Sequence, residues 1–146
     1  MKKTAKKKRN TTVGKLAWLC HHGELIELLT EPMITRREYI RKFKPDCEVA
    51  TRLKWFRLVK NPRALPKEYR LAVTKLRRAI KTRDAHKNRR DQKYHKLSAV
   101  VYAAHTNVYT AYGKCMGGIE KLHRKECPGC PWDYKGQTLL FYSSVR

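Results

Sequence analysis

The sharpest chemical signal in the chain is His123, Cys127 and Cys130 in the stretch HRKECPGCPWD. A Cys-x2-Cys pair with Pro-Gly between its members makes a tight knuckle in which two thiolates can point at one cation. His123 falls one helical turn earlier, on the same face if a helix persists. These are three candidate ligands for a structural Zn2+ site, and the fourth would come from Cys115, Cys47 or the Cys20, His21, His22 cluster. Two merely packed, reduced thiols are the competing reading of the same knuckle, and redox chemistry is the third. A thioredoxin-like site needs a strand before the pair and a helix starting at its first cysteine, whereas here a helix is predicted to end there.

No other constellation carries reaction chemistry. The sequence has no Gly-rich phosphate loop, no His-Glu-x2-His and no visible set of nucleophile, base and orienting acid, so no catalytic residue is named and no enzyme is expected. His21 and His22, with Glu24 and Glu27 nearby, read as a polar helix face.

Charge is the second signal. Lys and Arg number 35 against 12 Asp and Glu, giving +23 and a pI of about 10.2. Self-repulsion on that scale is relieved by a polyanion, because cations that neutralise phosphates release condensed counterions. DNA or RNA is the expected partner. The candidate phosphate contacts are Lys2, Lys3, Lys6, Lys7, Lys8 and Arg9 on an amino-terminal arm, then Arg52, Lys54 and Arg57, then Arg77, Arg78, Arg83, Lys87, Arg89 and Arg90. Trp18, Trp55 and Tyr94 are the candidates for base stacking, although both tryptophans sit beside apolar stripes. An anionic membrane fits less well, since the cations are spread along the chain rather than set beside an apolar anchor.

The elements that would position these groups are read from periodicity. Residues 1–12 carry cations without an apolar phase and form a disordered basic arm. From Val13 to Thr30, Leu16, Leu19, Cys20, Ile26 and Leu29 recur at helical spacings; a helix after Pro32 covers MITRREYIRKF, and a third begins at Asp46. The two prolines of NPRALP mark a connection. Beyond Pro66 the apolar positions fall into heptads: Tyr69, Val73, Leu76 and Ile80, then Tyr94, Leu97, Val101, Ala104, Val108, Ala111, Cys115 and Leu122. Residues 67–125 are one long helix or a helical hairpin. A single helix would run about 90 Å, which argues for the hairpin. KTRDAHKNRRDQKYHK offers no Gly or Pro for a turn, which tips the preference to the long helix.

The expected fold is therefore all-α: short helices over 13–60, the long helix or hairpin over 67–125, and a short irregular Cys-x2-Cys tail over 126–146, all in one domain behind the arm. The 146 residues suit one modest core. The basic start is not followed by a signal-peptide core and the longest uncharged run holds His, Asn and Thr, so neither secretion nor a membrane span is expected. Five cysteines are then best read as reduced, in a cytoplasmic protein.

The combination of LIELLTEPMITRREYIRKFKP, a heptad-patterned Ala/Tyr-rich stretch and LHRKECPGCPWD resembles an uncharacterised family of small bacterial and phage proteins. Its members carry variable numbers of seven-residue Ala-Tyr-rich repeats before a closing His-x3-Cys-Pro-x-Cys-Pro-Trp-Asp motif. The match is carried by Leu122, His123, Lys125, Glu126, Cys127, Pro128, Cys130, Pro131, Trp132 and Asp133. The resemblance implies a bacterial or phage-infected cell and a helical spacer more than an enzyme, and it implies no activity. This chain departs from it by filling the first half with Lys and Arg. The expected function is a non-enzymatic nucleic-acid-binding accessory protein; the alternative is a structural protein whose heptad seam dimerises or docks a helical partner.

Overall fold

The computed structural model describes residues 12–21 and 23–141, with only the backbone of Cys20 and His21. The basic arm lies outside the described residues.

Over residues 13–30 the expected helix is corrected to a β-hairpin. Strand β1 (Leu16–His21) pairs antiparallel with β2 (Glu24–Leu28), placing Leu16 opposite Leu28 and Trp18 opposite Ile26. Gly23, with φ of +80°, supplies the left-handed conformation at the turn. The runs LAWL and LIELL satisfy helical spacing, but they also suit a strand covered on both faces, and two-sided burial decides for the strand. Leu16, Ala17, Trp18 and Leu19 are all buried. Ala17 packs with Leu29 and Phe56 on one side of the sheet, where Met33 and Ile40 add cover; Leu16 and Trp18 join the main core on the other.

Helix α1 (Met33–Phe43) and helix α2 (Asp46–Trp55) follow where the sequence places them, parted by Pro45. The chain returns through β3 (Arg57–Leu58), which pairs with the free edge of β1 and gives the strand order β2-β1-β3. A short 3-10 turn at Pro62–Ala64 is the connection the prolines predict.

The preferred single long helix is corrected to a helical hairpin. Helix α3 (Lys67–Ala85) and helix α4 (Gln92–Glu126) pack against each other. Capping makes the turn in place of Gly or Pro. Asp91 accepts from the Tyr94 backbone N–H at 2.8 Å as the N-cap of α4, and its other oxygen lies 2.7 Å from His86 Nε2 at the end of α3. Asn88 Oδ1 accepts from the Arg90 N–H between them.

The heptad positions Tyr69, Val73, Leu76, Val101, Ala104, Ala111 and Leu122 are buried in the main core, so the seam is used within the chain. The tail expected to be irregular is also corrected: β4 (Trp132–Asp133) pairs with β5 (Thr138–Leu139), and Trp132, Leu139 and Cys127 enter the same core. The protein is thus predominantly helical with two small antiparallel sheets, rather than all-α. Among the described residues no helix is long and apolar enough to cross a membrane.

Candidate nucleic-acid interface

The α3–α4 hairpin gathers many of the chain's cations toward its turn. Full burial on α3 ends at Leu76 and resumes on α4 at Val101; between them Ala79 and Ile80 still pack against the core, and Lys81 and Asp84 border a groove shared with Val13, Leu28 and Leu29, so the tip proper is the end of the hairpin around the α3–α4 turn. Residues 75–96 contain ten Lys and Arg and two acids. Both acids are engaged at short range. Asp84 accepts from Arg83 at 2.9 Å. Asp91 is committed to the turn, and the Tyr94 N–H first and His86 second hold its carboxyl below the ordinary carboxylate range. The tip therefore presents a dense cationic surface: Arg78, Lys87, Arg89 and Arg90 are exposed, and so are Lys75, Lys81, Lys93 and Lys96 of the same basic segment.

The other predicted contacts divide. Arg77 donates from Nε to the Gly14 carbonyl at 2.7 Å, and burial lowers its pKa; it clamps the start of the described chain onto α3. Arg83 shares its charge with Asp84. Arg52 is 9% exposed, paired with Glu48 at 2.8 Å and laid over the Phe141 ring. It is a packing residue, which removes it from the phosphate contacts. Lys54 and Arg57 lie over the Trp55 ring, with Arg57 Nε donating to the Lys54 carbonyl, and Lys54 is exposed. Lys2, Lys3, Lys6, Lys7, Lys8 and Arg9 fall outside the described residues.

Stacking is corrected as well. Trp18 is fully buried and donates from Nε1 to Glu126 at 2.8 Å, Trp55 is buried, and Tyr94 is half-buried behind His86. The exposed aromatics are others. Tyr39 and Phe43 pair on α1 under Lys44 and Lys42, and Tyr102 and Tyr109 stand on the outer side of α4. Helical phase puts Tyr39 and Phe43 with the apolar positions, and nothing local marks them as uncovered.

At the closing motif, His123 is fully buried. Its Nδ1 lies 2.7 Å from the Tyr134 hydroxyl and its ring packs against Trp18. Burial first, and Arg124 second, push its pKa down to about 4. Burial likewise raises the Cys127 thiol, pushes Cys130 up to about 11 and carries Tyr134 up to about 12. At neutral pH these groups are uncharged. Among the described residues no three His, Cys, Asp or Glu side chains form a group that could hold a metal as they stand, while His123 Nε2 is buried without a hydrogen-bond partner. Cys115 is half-buried against the core and Cys47 is exposed on α2, while the side chains of Cys20 and His21, and all of His22, lie outside the described residues. Glu126, which enters the sequence reading only as part of the motif, has the largest structural role there. Its two oxygens accept from Trp18 Nε1 and from the backbone N–H groups of Lys60 and Asn61.

Comparison with known proteins returned no match among family models, curated proteins or solved structures. The resemblance seen in the closing motif rests on the sequence motifs alone.

Proposed function

We propose that the protein is a non-catalytic nucleic-acid-binding protein that contacts the phosphate backbone through the tip of the α3–α4 hairpin. One observation carries this reading: toward the α3–α4 turn eight Lys and Arg (Lys75, Arg78, Lys81, Lys87, Arg89, Arg90, Lys93 and Lys96) are exposed, while Asp91 is committed to the turn and Asp84 is paired with Arg83. Cations gathered on one projection can follow a line of phosphates, which scattered cations cannot. The contacts are with phosphate, so affinity is the same for unrelated sequences. Binding of mixed-sequence DNA and RNA across a salt series tests it. The reading requires log affinity to fall steeply with log salt, and a flat salt response contradicts it.

Structural zinc at the knuckle is a separate proposal. His123, Cys127 and Cys130 would fill three positions of a tetrahedral shell, and a fourth ligand would have to join them. Metal analysis of the purified protein beside Cys127→Ser decides: stoichiometric zinc lost in the variant supports the site, and metal-free wild type removes it.

A further inference from the structure

Three arginines meet at a cleft between β1 and α3. Arg70 and Arg77 stand two turns apart on one face of α3, about 10 Å along the axis, and Arg63 reaches the same cleft from the 3-10 turn. The cleft has a volume of about 230 Å3, and the buried side chains of Leu16 and Val73 line it. Two of the guanidinium groups are fixed. Arg70 Nε donates to the Leu65 carbonyl at 3.0 Å, and Arg77 Nε donates to the Gly14 carbonyl at 2.7 Å, with Gly14 itself held by its N–H on the Leu29 carbonyl at 2.8 Å. Bonds through Nε leave the terminal nitrogens of each fork as the remaining donors. No acid lines the cleft, and among the described residues none pairs with Arg63, Arg70 or Arg77.

A second groove adjoins the first through Arg77, which lines both. It has a volume of about 470 Å3 and aliphatic walls of Val13, Leu28, Leu29 and Ile80, with Lys81 one turn beyond Arg77 on the same face of α3. The acid that lines it, Asp84, is already paired with Arg83 at 2.9 Å. Joined, the two grooves fall within the range of small-molecule sites, about 300–1,000 Å3. The pair fits a ligand that is anionic at one end and apolar at the other.

We propose that the cleft of Arg63, Arg70 and Arg77 holds the terminal phosphate of a nucleic-acid strand, a phosphate monoester, with the terminal base in the adjoining aliphatic groove. The inference rests on the nucleic-acid reading for the source of the phosphate, and the arginines supply its chemistry. A phosphate monoester offers three free oxygens and close to two negative charges at neutral pH, whereas an internal phosphodiester offers two oxygens and one charge. Three guanidinium forks arriving from two elements match the monoester, because each fork can donate two parallel hydrogen bonds to a pair of its oxygens. The exposed cations around the α3–α4 turn, which have no such cleft, suit the diesters of a passing backbone. Aliphatic walls cover the face of a base, and every base has one, so the site prefers a strand end without preferring a sequence.

Binding of one short single strand carrying a 5′-phosphate, a 3′-phosphate or hydroxyls at both ends tests it, beside a free nucleoside monophosphate. A phosphate at one end should raise affinity by about tenfold or more. Arg63→Gln and Arg70→Gln should each abolish that gain, and Arg70→Lys should recover only part of it, since an ammonium lacks the fork. All three variants should keep the wild-type circular dichroism and bind the hydroxyl-ended strand as the wild type does. Val13→Trp, which fills the second groove from an exposed position, should lower affinity for the phosphorylated strand alone. Equal affinity for phosphorylated and hydroxyl-ended strands overturns the proposal and leaves the tip reading standing. A gain that survives Arg63→Gln and Arg70→Gln also overturns it. A nucleoside monophosphate that binds when no strand does overturns the strand end as the source, and the tip reading with it.

Discussion

His123 gives the most direct readout of the packing at the closing motif. An imidazole held down to about 4 stays neutral in the folded state where the unfolded chain takes up a proton, near its ordinary value of about 6.5. Stability from this group is therefore complete above about pH 6.5 and is lost as pH falls toward 4, by on the order of 3 kcal/mol across the window. The groups facing the ring are Trp18 and Tyr134, with Arg124 opposing protonation and Glu126 favouring it. Urea midpoints from pH 7.5 to 4.5 should show a steeper decline in the wild type than in His123→Gln; equal declines would place the titrating group elsewhere. In the sequence His123 stands out for its spacing to Cys127, and that spacing cannot show the ring turned to Tyr134. Arg52 is the same lesson in reverse. Composition groups it with the cations, although Glu48 stands four residues before it, a spacing that already signals a pair.

Among the elements, the α3–α4 turn and the last turn of α4 carry the most consequence. Asp91→Ala removes the N-cap and the His86 partner together, so it should cost about 1–2 kcal/mol and speed amide exchange at residues 92–97; Asp91→Asn, which can still cap, should cost less. Exchange unchanged in Asp91→Ala would mean that packing, not the cap, makes the turn. Glu126→Ala leaves three donors without their acceptor, and should lower stability by about 2–3 kcal/mol in a urea titration, with Glu126→Gln intermediate. A variant as stable as wild type would show water replacing the carboxylate. The hairpin is legible in the sequence as an alternative, because the apolar heptads lapse between Ile80 and Tyr94. Taking Gly and Pro as the turn signal favours one helix, whereas Asp91 three residues before Tyr94 is the signal present. The β1–β2 hairpin escapes sequence reading for a different reason: strands buried on both faces lose the alternation that distinguishes them from a helix, and only the layer formed by α1 and Phe56 reveals the second face.

At the scale of the whole molecule, composition alone points to a polyanion partner. Placement of the charge does not follow from composition, because it depends on where the chain turns back. Folding as a hairpin gathers residues 75–96 at one end, leaves Arg41, Lys42 and Lys44 elsewhere at the end of α1, and keeps the middle of α4 uncharged. If phosphate is the partner, as proposed, the position of the cations and not their total makes the contact. This is tested by two triple variants of equal charge, Lys87→Ala/Arg89→Ala/Arg90→Ala at the tip and Arg41→Ala/Lys42→Ala/Lys44→Ala at the end of α1, each titrated with mixed-sequence duplex across a salt series. The tip variant should lower the magnitude of the slope of log affinity against log salt by about 2 to 3, at about 0.9 for each phosphate no longer neutralised, and the α1 variant should leave it near the wild-type value. Equal losses from both would contradict the account and reduce the tip to a share of the bulk charge.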